Sequence, residues 1–300
     1  MAIRLPVAAR RWASLPIRGV PVRIRSGPNA GRRWSLAASG RGIWSGAYER
    51  ERFEALATLL GDNDVFWDVG AHRGYATLLA DDVIGPEGSI HAFEPSTVNR
   101  GYLAQHLRWN GADRVDVHRS ALADFDGTAE FGGTGSSVSH KLVGAPPGEP
   151  AATGTADPSS AGSSIESVPV RTISNLVEGG VPAPTFLKID VEGEESGVLA
   201  GARQLLDDLG KDGTQMPVIL VSVHSGPQLT ACLDFLRGFD YQVLGSSSMS
   251  TFMQMPTEAW YEDPDLFAVP RRGRIDLSTV RGTAWFRGGP DLSTQTKDRP

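Results

Sequence analysis

The stretch Asp68-Val69-Gly70-Ala71-His72-Arg73-Gly74-Tyr75 decides the fold of this chain. It joins an apolar run at 65–69, which has the length of a buried strand, to a helical pattern at 75–83. Runs of the same two kinds continue along the chain, as strands at 89–93, 115–118, 168–172, 185–191, 218–223, 241–244 and 266–269, and as helices at 49–60, 95–110, 194–209 and 229–238. Because strands and helices alternate, the order predicts an α/β fold built on a parallel sheet with right-handed crossovers.

Composition excludes several classes of protein. The 300 residues are 40% hydrophobic and 21% charged, so the chain can bury a core and is neither fibrous nor wholly disordered. Its single cysteine, Cys232, cannot form an internal disulfide, and no apolar run approaches the ~18 residues that span a bilayer. The net charge of −6 gives no general attraction to nucleic acid or anionic lipid. We therefore expect a cytoplasmic protein without a nucleic-acid or membrane partner.

The first 48 residues contain nine arginines and no acidic residue. An arginine-rich, acid-poor start is typical of a transit peptide, and Arg10-Arg11 is similar to a twin-arginine signal. Pro16 and Arg18, however, interrupt the apolar stretch that such a signal needs. Residues 20–25 instead alternate apolar and basic side chains, which is the period of a half-buried strand. We therefore expect 1–48 to be a basic N-terminal extension with short strands, folded rather than cleaved.

Two further segments depart from the alternating pattern. Residues 132–167 are dominated by Gly, Ser, Ala, Pro and Thr, a composition that buries too little apolar surface to offset its ordering entropy. We expect this segment to be a mobile insert within the domain. Residues 271–300 are polar and rich in Gly and Arg, and we expect a largely disordered tail.

The glycine turn at 70–74 lies at the edge where open α/β sheets bind ligands. It differs from the dinucleotide fingerprint because His72 occupies the place of the middle glycine. Asp68, two residues before Gly70, would repel a pyrophosphate but attract an ammonium or a sulfonium group. S-adenosylmethionine carries both cations and no phosphate. An ordinary strand–helix turn remains an alternative explanation of the glycines.

Acidic residues also follow two other strands. Glu94 can accept hydrogen bonds from both ribose hydroxyls of a nucleoside, or it can be a turn carboxylate ahead of the helix near Pro95. The stretch Lys188-Ile189-Asp190-Val191-Glu192-Gly193-Glu194-Glu195 contains four carboxylates. A helix start accounts for the last two, whereas Asp190 and Glu192 lie at the strand end itself. These acids strengthen the prediction of a cationic nucleoside ligand.

Three segments together, at 68–75, 91–95 and 188–195, resemble the signatures of FkbM-type S-adenosylmethionine-dependent methyltransferases. The resemblance extends from 46–49 to 266–270. It implies a class I methyltransferase fold, Rossmann-like and doubly wound, with a mostly parallel seven-stranded sheet and an N-terminal β extension. It also implies a methyltransferase domain at 49–270 that methylates a hydroxyl on a sugar, polyketide or similar small molecule.

The resemblance implies roles for individual residues. Methionine, ribose and adenine contacts together give a predicted cofactor site of Asp68, Gly70, Ala71, His72, Gly74, Tyr75, Glu94, Pro95, Ser120, Ala121 and Asp190. Asp190 and Glu192 would face the transferred methyl group. An alcohol acceptor loses a proton, so Asp190, Glu192 and His224 are the candidate bases. Histidine titrates nearest neutral pH, although a lone histidine after an apolar strand is more often structural. No histidine has metal-ligand spacing, so no metal is predicted.

Three positions depart from the family pattern. His72 stands where asparagine or a small residue is usual, 172–175 replaces a frequent Thr-Leu-Asp-Asp, and Ser222 stands where an acid is often seen. These departures leave open a cofactor-binding protein without turnover. Methylation of protein or of a nucleic-acid base is a further alternative, but acids rather than an Asn/Asp-Pro-Pro-aromatic turn follow the strand at 185–191. A dinucleotide oxidoreductase is disfavoured by Asp68.

Overall fold

The computed structural model describes residues 19–38, 41–132, 141–143, 166–213, 215–249, 264–271 and 273–294. Most of the predicted mobile insert at 132–167, the first 18 residues of the basic extension and the last six residues of the chain lie outside the described residues.

A seven-stranded sheet forms the centre of the molecule. Its strands in spatial order are β12 (Tyr241–Gly245), β13 (Asp265–Pro270), β11 (Val218–Ser222), β10 (Phe186–Ile189), β3 (Val65–Val69), β4 (Ser89–Phe93) and β5 (Val115–His118). Only β13 runs antiparallel to its neighbours within this sheet. The chain proceeds outward from β3 in one direction and from β10 in the other, so the strand order reverses between them. Ligands of open α/β sheets bind at such a point, beyond the carboxyl ends of the strands.

Helices cover both faces of this sheet. They are α1 (Arg41–Ser45), α2 (Arg50–Leu59), α3 (Tyr75–Val83), α4 (Thr97–Asn110), α5 (Ile173–Glu178), α6 (Glu195–Ala200), α7 (Arg203–Asp212), α8 (Gly226–Gly238) and α9 (Leu277–Gly282). Alternate strand residues enter two separate cores. Phe66 packs with residues of α2, α3 and α4, and Trp67 packs with residues of α6, α7 and α8. The predicted doubly wound, mostly parallel class I fold is therefore confirmed.

The predicted helix at 194–209 is two helices. α6 ends at Ala200 and α7 begins at Arg203, and Gly201 lies between them. A Cβ on Gly201 would overlap the carbonyl oxygen of Ala123, so the chain turns where it passes close to a neighbouring segment. The apolar spacing alone did not show this break.

The extension from residue 19 onward packs against the sheet domain. β1 (Pro21–Arg23) pairs antiparallel with β2 (Arg33–Ser35), in keeping with the strand predicted at 20–25. Trp34 is buried, and its ring stacks on that of His106 in α4 with centroids 3.8 Å apart. Arg32 binds Asp81 at 2.8 Å in α3. These contacts attach the extension to the two helices that follow β3 and β4.

The prediction of a largely disordered tail is wrong for the described residues between 271 and 294. This segment contains α9, which is capped by the Asp276 side chain. Phe286 is buried, and the Leu292 amide donates to the Val243 carbonyl at 2.8 Å. The composition is polar, but the few large apolar residues sit where they insert into the core.

A second, four-stranded sheet lies beside the first. It contains β6 (Ala121–Leu122), β9 (Glu166–Arg171), β7 (Gly127–Gly132) and β8 (Lys141–Val143) in that order. Of these strands, the sequence pattern predicted only β9. In the part of the chain that the structure describes, no helix is both long and apolar enough to cross a bilayer.

Candidate methyltransferase site

A cleft opens at the carboxyl ends of β3, β4, β10 and β11, where the strand order reverses. We call its central part the acidic cleft, a cavity of about 210 Å³. Its lining includes Tyr48, Glu49, Arg52, Gly70, His72, Glu94, Pro95, Asn99, Phe131, Asp190, Val191, Glu192 and His224. The sheet edge therefore brings together Glu94, Asp190, Glu192 and His224, as the sequence predicted.

The glycine turn fits closely against the end of β10. Gly70 has a φ of 76°, and a Cβ there would overlap the carbonyl oxygen of Asp190. Gly74 has a φ of 88°, and a Cβ there would overlap the side chain of Leu103. His72 also has a positive φ, of 50°. Asn, Asp and His are the non-glycine residues that favour this conformation, which explains why histidine can stand where asparagine is usual.

Glu94 is buried and lines the acidic cleft. Its carboxylate accepts hydrogen bonds at 2.8 Å from the backbone amides of His72 and Ser96. Burial raises the pKa of Glu94 to about 7, despite these hydrogen bonds to the ionised form. The turn role is therefore observed, because this carboxylate ties the glycine turn to β4, and the cofactor role stays a prediction for a side chain that borders the cavity.

The structure contradicts the predicted contact between Asp68 and the cofactor. Asp68 is fully buried and lies outside the cavities described at this edge. Its carboxylate accepts hydrogen bonds from Lys188 Nζ at 2.9 Å and from Thr77 Oγ1 at 2.6 Å. The negative charge that was predicted to attract a ligand is thus neutralised by Lys188 inside the protein. Gly74 likewise shapes the turn without lining the cavities.

Asp190 contacts the same Lys188 as Asp68 does, but its carboxylate reaches the acidic cleft. Its side chain is 28% exposed and lies 3.1 Å from Arg52 Nη2 and 3.5 Å from Lys188 Nζ. Partial burial opposes ionisation, but Lys188 and Arg52 hold the pKa of Asp190 well below its usual range. Asp190 is therefore a fixed negative charge and a weak proton acceptor at neutral pH.

His224 also lines the acidic cleft, two residues after the end of β11. Its Nδ1 is 2.5 Å from Oε1 of Glu195, which is fully buried in the first turn of α6. Its Nε2 is 3.9 Å from Oδ1 of Asp190. In the sequence Glu195 has the pattern of a helix-start acid, because nothing in the linear order relates it to a histidine that follows another strand.

Arg52 is a site residue that the sequence analysis missed. This buried arginine of α2 binds Glu49 at 2.5 Å, Asp190 at 3.1 Å and Asp265 at 3.2 Å, and it donates to Ser222 Oγ. Burial raises the pKa of Asp265 to about 6, and Arg52 opposes that shift. A single arginine inside a helical pattern gave no signal of this role.

Two pockets extend the acidic cleft. On one side, Ser120, Ala121 and Phe131 line a small pocket with Pro95, Glu192 and Glu194, among others. On the other side is the aromatic pocket, a cavity of about 230 Å³ lined by Trp34, Tyr48, Phe53, Tyr75, Ala71 and His72 among others. The N-terminal extension thus forms part of the site. Among the described residues, no group of three His, Cys, Asp or Glu side chains is arranged to hold a metal ion.

The sheet order and the cleft at its strand ends define a class I methyltransferase fold. The family model described as "Methyltransferase FkbM domain" matches residues 68–243. Since that match covers more than half of the chain, the protein belongs to the FkbM methyltransferase family.

Individual proteins are similar over part of their length. The hexuronic acid methyltransferase AglP of Haloferax volcanii is 30% identical over 181 residues, which are 59% of this chain and 63% of that relative. The FkbM methyltransferase structure from Methylobacillus flagellatus KT is 20% identical with a TM-score of 0.45, covering 69% of this chain and 44% of that one. Aeropyrum pernix fibrillarin, solved with S-adenosyl-L-methionine, is 12% identical with a TM-score of 0.40, covering 73% and 74% respectively.

Proposed function

We propose that this protein transfers a methyl group from S-adenosylmethionine to a hydroxyl group of a small molecule or sugar. The observation that carries the proposal is the acidic cleft, which combines a buried carboxylate at β4, a glycine turn at β3 and a histidine after β11. Family membership supports methyl transfer, and the hexuronic acid methyltransferase relative favours a sugar acceptor.

The residues present fit this cofactor. Glu94 can accept hydrogen bonds from ribose hydroxyls, and the bare backbone at Gly70 permits close approach of a ligand. The ionised Asp190 and the neighbouring Glu192 favour a cationic centre between them. Pro95, Ser120, Ala121 and Phe131 offer apolar contacts for a base. With Asp68 excluded from the site, the attraction for a cation rests on Asp190 and Glu192.

When bound, S-adenosylmethionine supplies an electrophilic methyl group on a sulfonium. The protein positions the acceptor, because holding the reacting atoms in line contributes much of the acceleration. His224 can take the hydroxyl proton, whereas Asp190 is held ionised by two cations and accepts a proton poorly.

Isothermal titration calorimetry with S-adenosylmethionine tests the first half of the proposal. We expect binding that is weakened at least about tenfold in Glu94→Ala, because two hydroxyl contacts are lost. Glu178→Gln, an exposed and remote change, is the matched control. Unchanged affinity in Glu94→Ala would remove the proposed ribose site.

Transfer is tested with a cofactor whose methyl group is labelled. Mass spectrometry of neutral sugars, hexuronic acids and polyketide alcohols after incubation would identify any acceptor that gains the label. Binding of the cofactor without transfer to any of them would favour the alternative of a binding protein without turnover, for which the departures at His72 and Ser222 gave the first reason.

A further inference from the structure

The carboxylate of Glu195, which contacts Nδ1 of His224, is itself fixed by other hydrogen bonds. Glu195 Oε1 also accepts the backbone amide of Gly193 at 2.9 Å. Gln228 fastens the same loop, because its side chain donates to the Gly193 carbonyl at 2.6 Å and accepts the Ser196 amide at 2.9 Å. Glu195 therefore has little freedom to turn away from the imidazole.

This contact sets the tautomer of the histidine. An ionised carboxylate can only accept hydrogen bonds, so the contact at 2.5 Å places a proton on Nδ1 of His224. In the neutral imidazole the lone pair then lies on Nε2, the nitrogen that is 3.9 Å from Oδ1 of Asp190 at the cleft. A base needs such a lone pair directed at the acceptor.

The charges around His224 also constrain the acceptor. Besides Glu195 and Asp190, the titratable groups on the walls of the acidic cleft are Tyr48, Glu49, Arg52, His72, Glu94 and Glu192. Arg52 is committed to Glu49, Asp190 and Asp265, and Lys188 beside it is committed to Asp68 and Asp190. An acceptor carboxylate entering here would meet like charges, whereas an uncharged hydroxyl would not.

We infer that Glu195 is a positioning residue that makes Nε2 of His224 the proton acceptor for an uncharged hydroxyl substrate. The inference rests on the proposed function. The hydroxyl O–H bond breaks and its proton passes to Nε2, while the oxygen forms the new bond to the methyl carbon. The electron pair of the broken carbon–sulfur bond returns to sulfur, which leaves as the neutral thioether of S-adenosylhomocysteine. Glu195 stabilises the imidazolium that results.

The tautomer is measurable without any acceptor. In the full chain labelled with ¹⁵N-histidine, NMR is expected to show the protonated Nδ1 and unprotonated Nε2 form of His224 at high pH. Glu195→Gln keeps the shape of the side chain and removes its charge, so the midpoint of the His224 titration is expected to move to lower pH. Glu54→Gln, on the exposed face of α2, is the control and should leave the titration unchanged.

Activity and binding separate this inference from the proposed function. Glu195→Gln is expected to bind S-adenosylmethionine as the unchanged protein does, and to lose about 100-fold in methyl transfer to a neutral hexoside acceptor. Nε2 protonation in the unchanged protein, or an unmoved titration midpoint in Glu195→Gln, would overturn the role of Glu195. Preferred methylation of glucuronic acid over methyl glucoside would overturn the uncharged acceptor. If the expected tautomer is observed but S-adenosylmethionine does not bind, the result counts against the proposed function and not against the role of Glu195.

Discussion

The protonation state of Glu94 gives a test of the proposed cofactor site that needs no acceptor. Burial raises the pKa of this carboxyl to about 7, so it gains a proton over a range where ordinary glutamates remain ionised. The ionised form accepts hydrogen bonds from two ribose hydroxyls, whereas the protonated form loses part of that capacity. Affinity for S-adenosylmethionine is therefore expected to fall as the pH falls through 7.

The size of the effect follows from the pKa. If only the ionised carboxylate binds well, affinity at pH 6 is about tenfold weaker than at pH 8, or about 1.4 kcal/mol. Titration calorimetry at pH 6, 7 and 8 measures it directly. His72 and His224 line the same cleft, and a positive charge on either imidazole would also disfavour a cationic ligand.

The variant Glu94→Gln separates the effect of Glu94 on the pH dependence of binding from the effect of the histidines. This variant cannot titrate at position 94, so most of the dependence on pH should disappear, while Glu178→Gln should retain it. The introduced side-chain amide would face the backbone donors of His72 and Ser96, so the variant is also expected to be about 1–3 kcal/mol less stable, and a thermal melt must show that it is folded. Constant affinity in the unchanged protein, or full dependence on pH in Glu94→Gln, would refute the reasoning.

Three further experiments test the buried parts of the site. Gly70→Ala is expected to lower the unfolding free energy by about 2 kcal/mol and to abolish cofactor binding in calorimetry, because its Cβ would overlap the Asp190 carbonyl. Arg52→Met leaves the buried Asp265 without its cation and leaves Asp190 with Lys188 alone, and urea denaturation should show a loss of about 3–5 kcal/mol. Asp265→Ser alone should lower the unfolding free energy, and the double variant Ser222→Asp/Asp265→Ser should recover part of that loss. A double variant that is no more stable than Asp265→Ser would contradict the idea that a carboxylate at either position can serve Arg52.

The strands next to the glycine turn could be predicted to the residue. β3, β4 and β5 have the predicted bounds, because each apolar run stops at a turn cluster or a polar residue. The four cleft residues Glu94, Asp190, Glu192 and His224 were also predicted, since the carboxyl ends of parallel strands meet at one edge of a sheet. The spacing of apolar residues and the order of strands and helices follow from the backbone, and both can be seen in a linear sequence.

Which carboxylate faces a ligand could not be predicted in the same way. Asp68 and Asp190 both belong to the ends of central strands, but Lys188 and Thr77 enclose the first, while Arg52 and Lys188 leave the second 28% exposed. The difference depends on side chains that come from other elements. Sequence spacing carries no record of those distances.

The serine at position 222 illustrates why a departure from a family pattern is not by itself evidence of lost function. β11 and β13 run antiparallel, and their register places Ser222 directly beside Asp265. Ser222 Oγ donates to Asp265 Oδ1 at 2.7 Å, and Arg52 contacts both side chains. The strand paired with β11 therefore places a carboxylate next to Ser222, and Arg52 also contacts Asp190 at the cleft. A comparison made position by position registers a lost acid, but Arg52 contacts the carboxylates of Glu49, Asp190 and Asp265 in this chain, so the serine does not by itself indicate a binding protein without turnover.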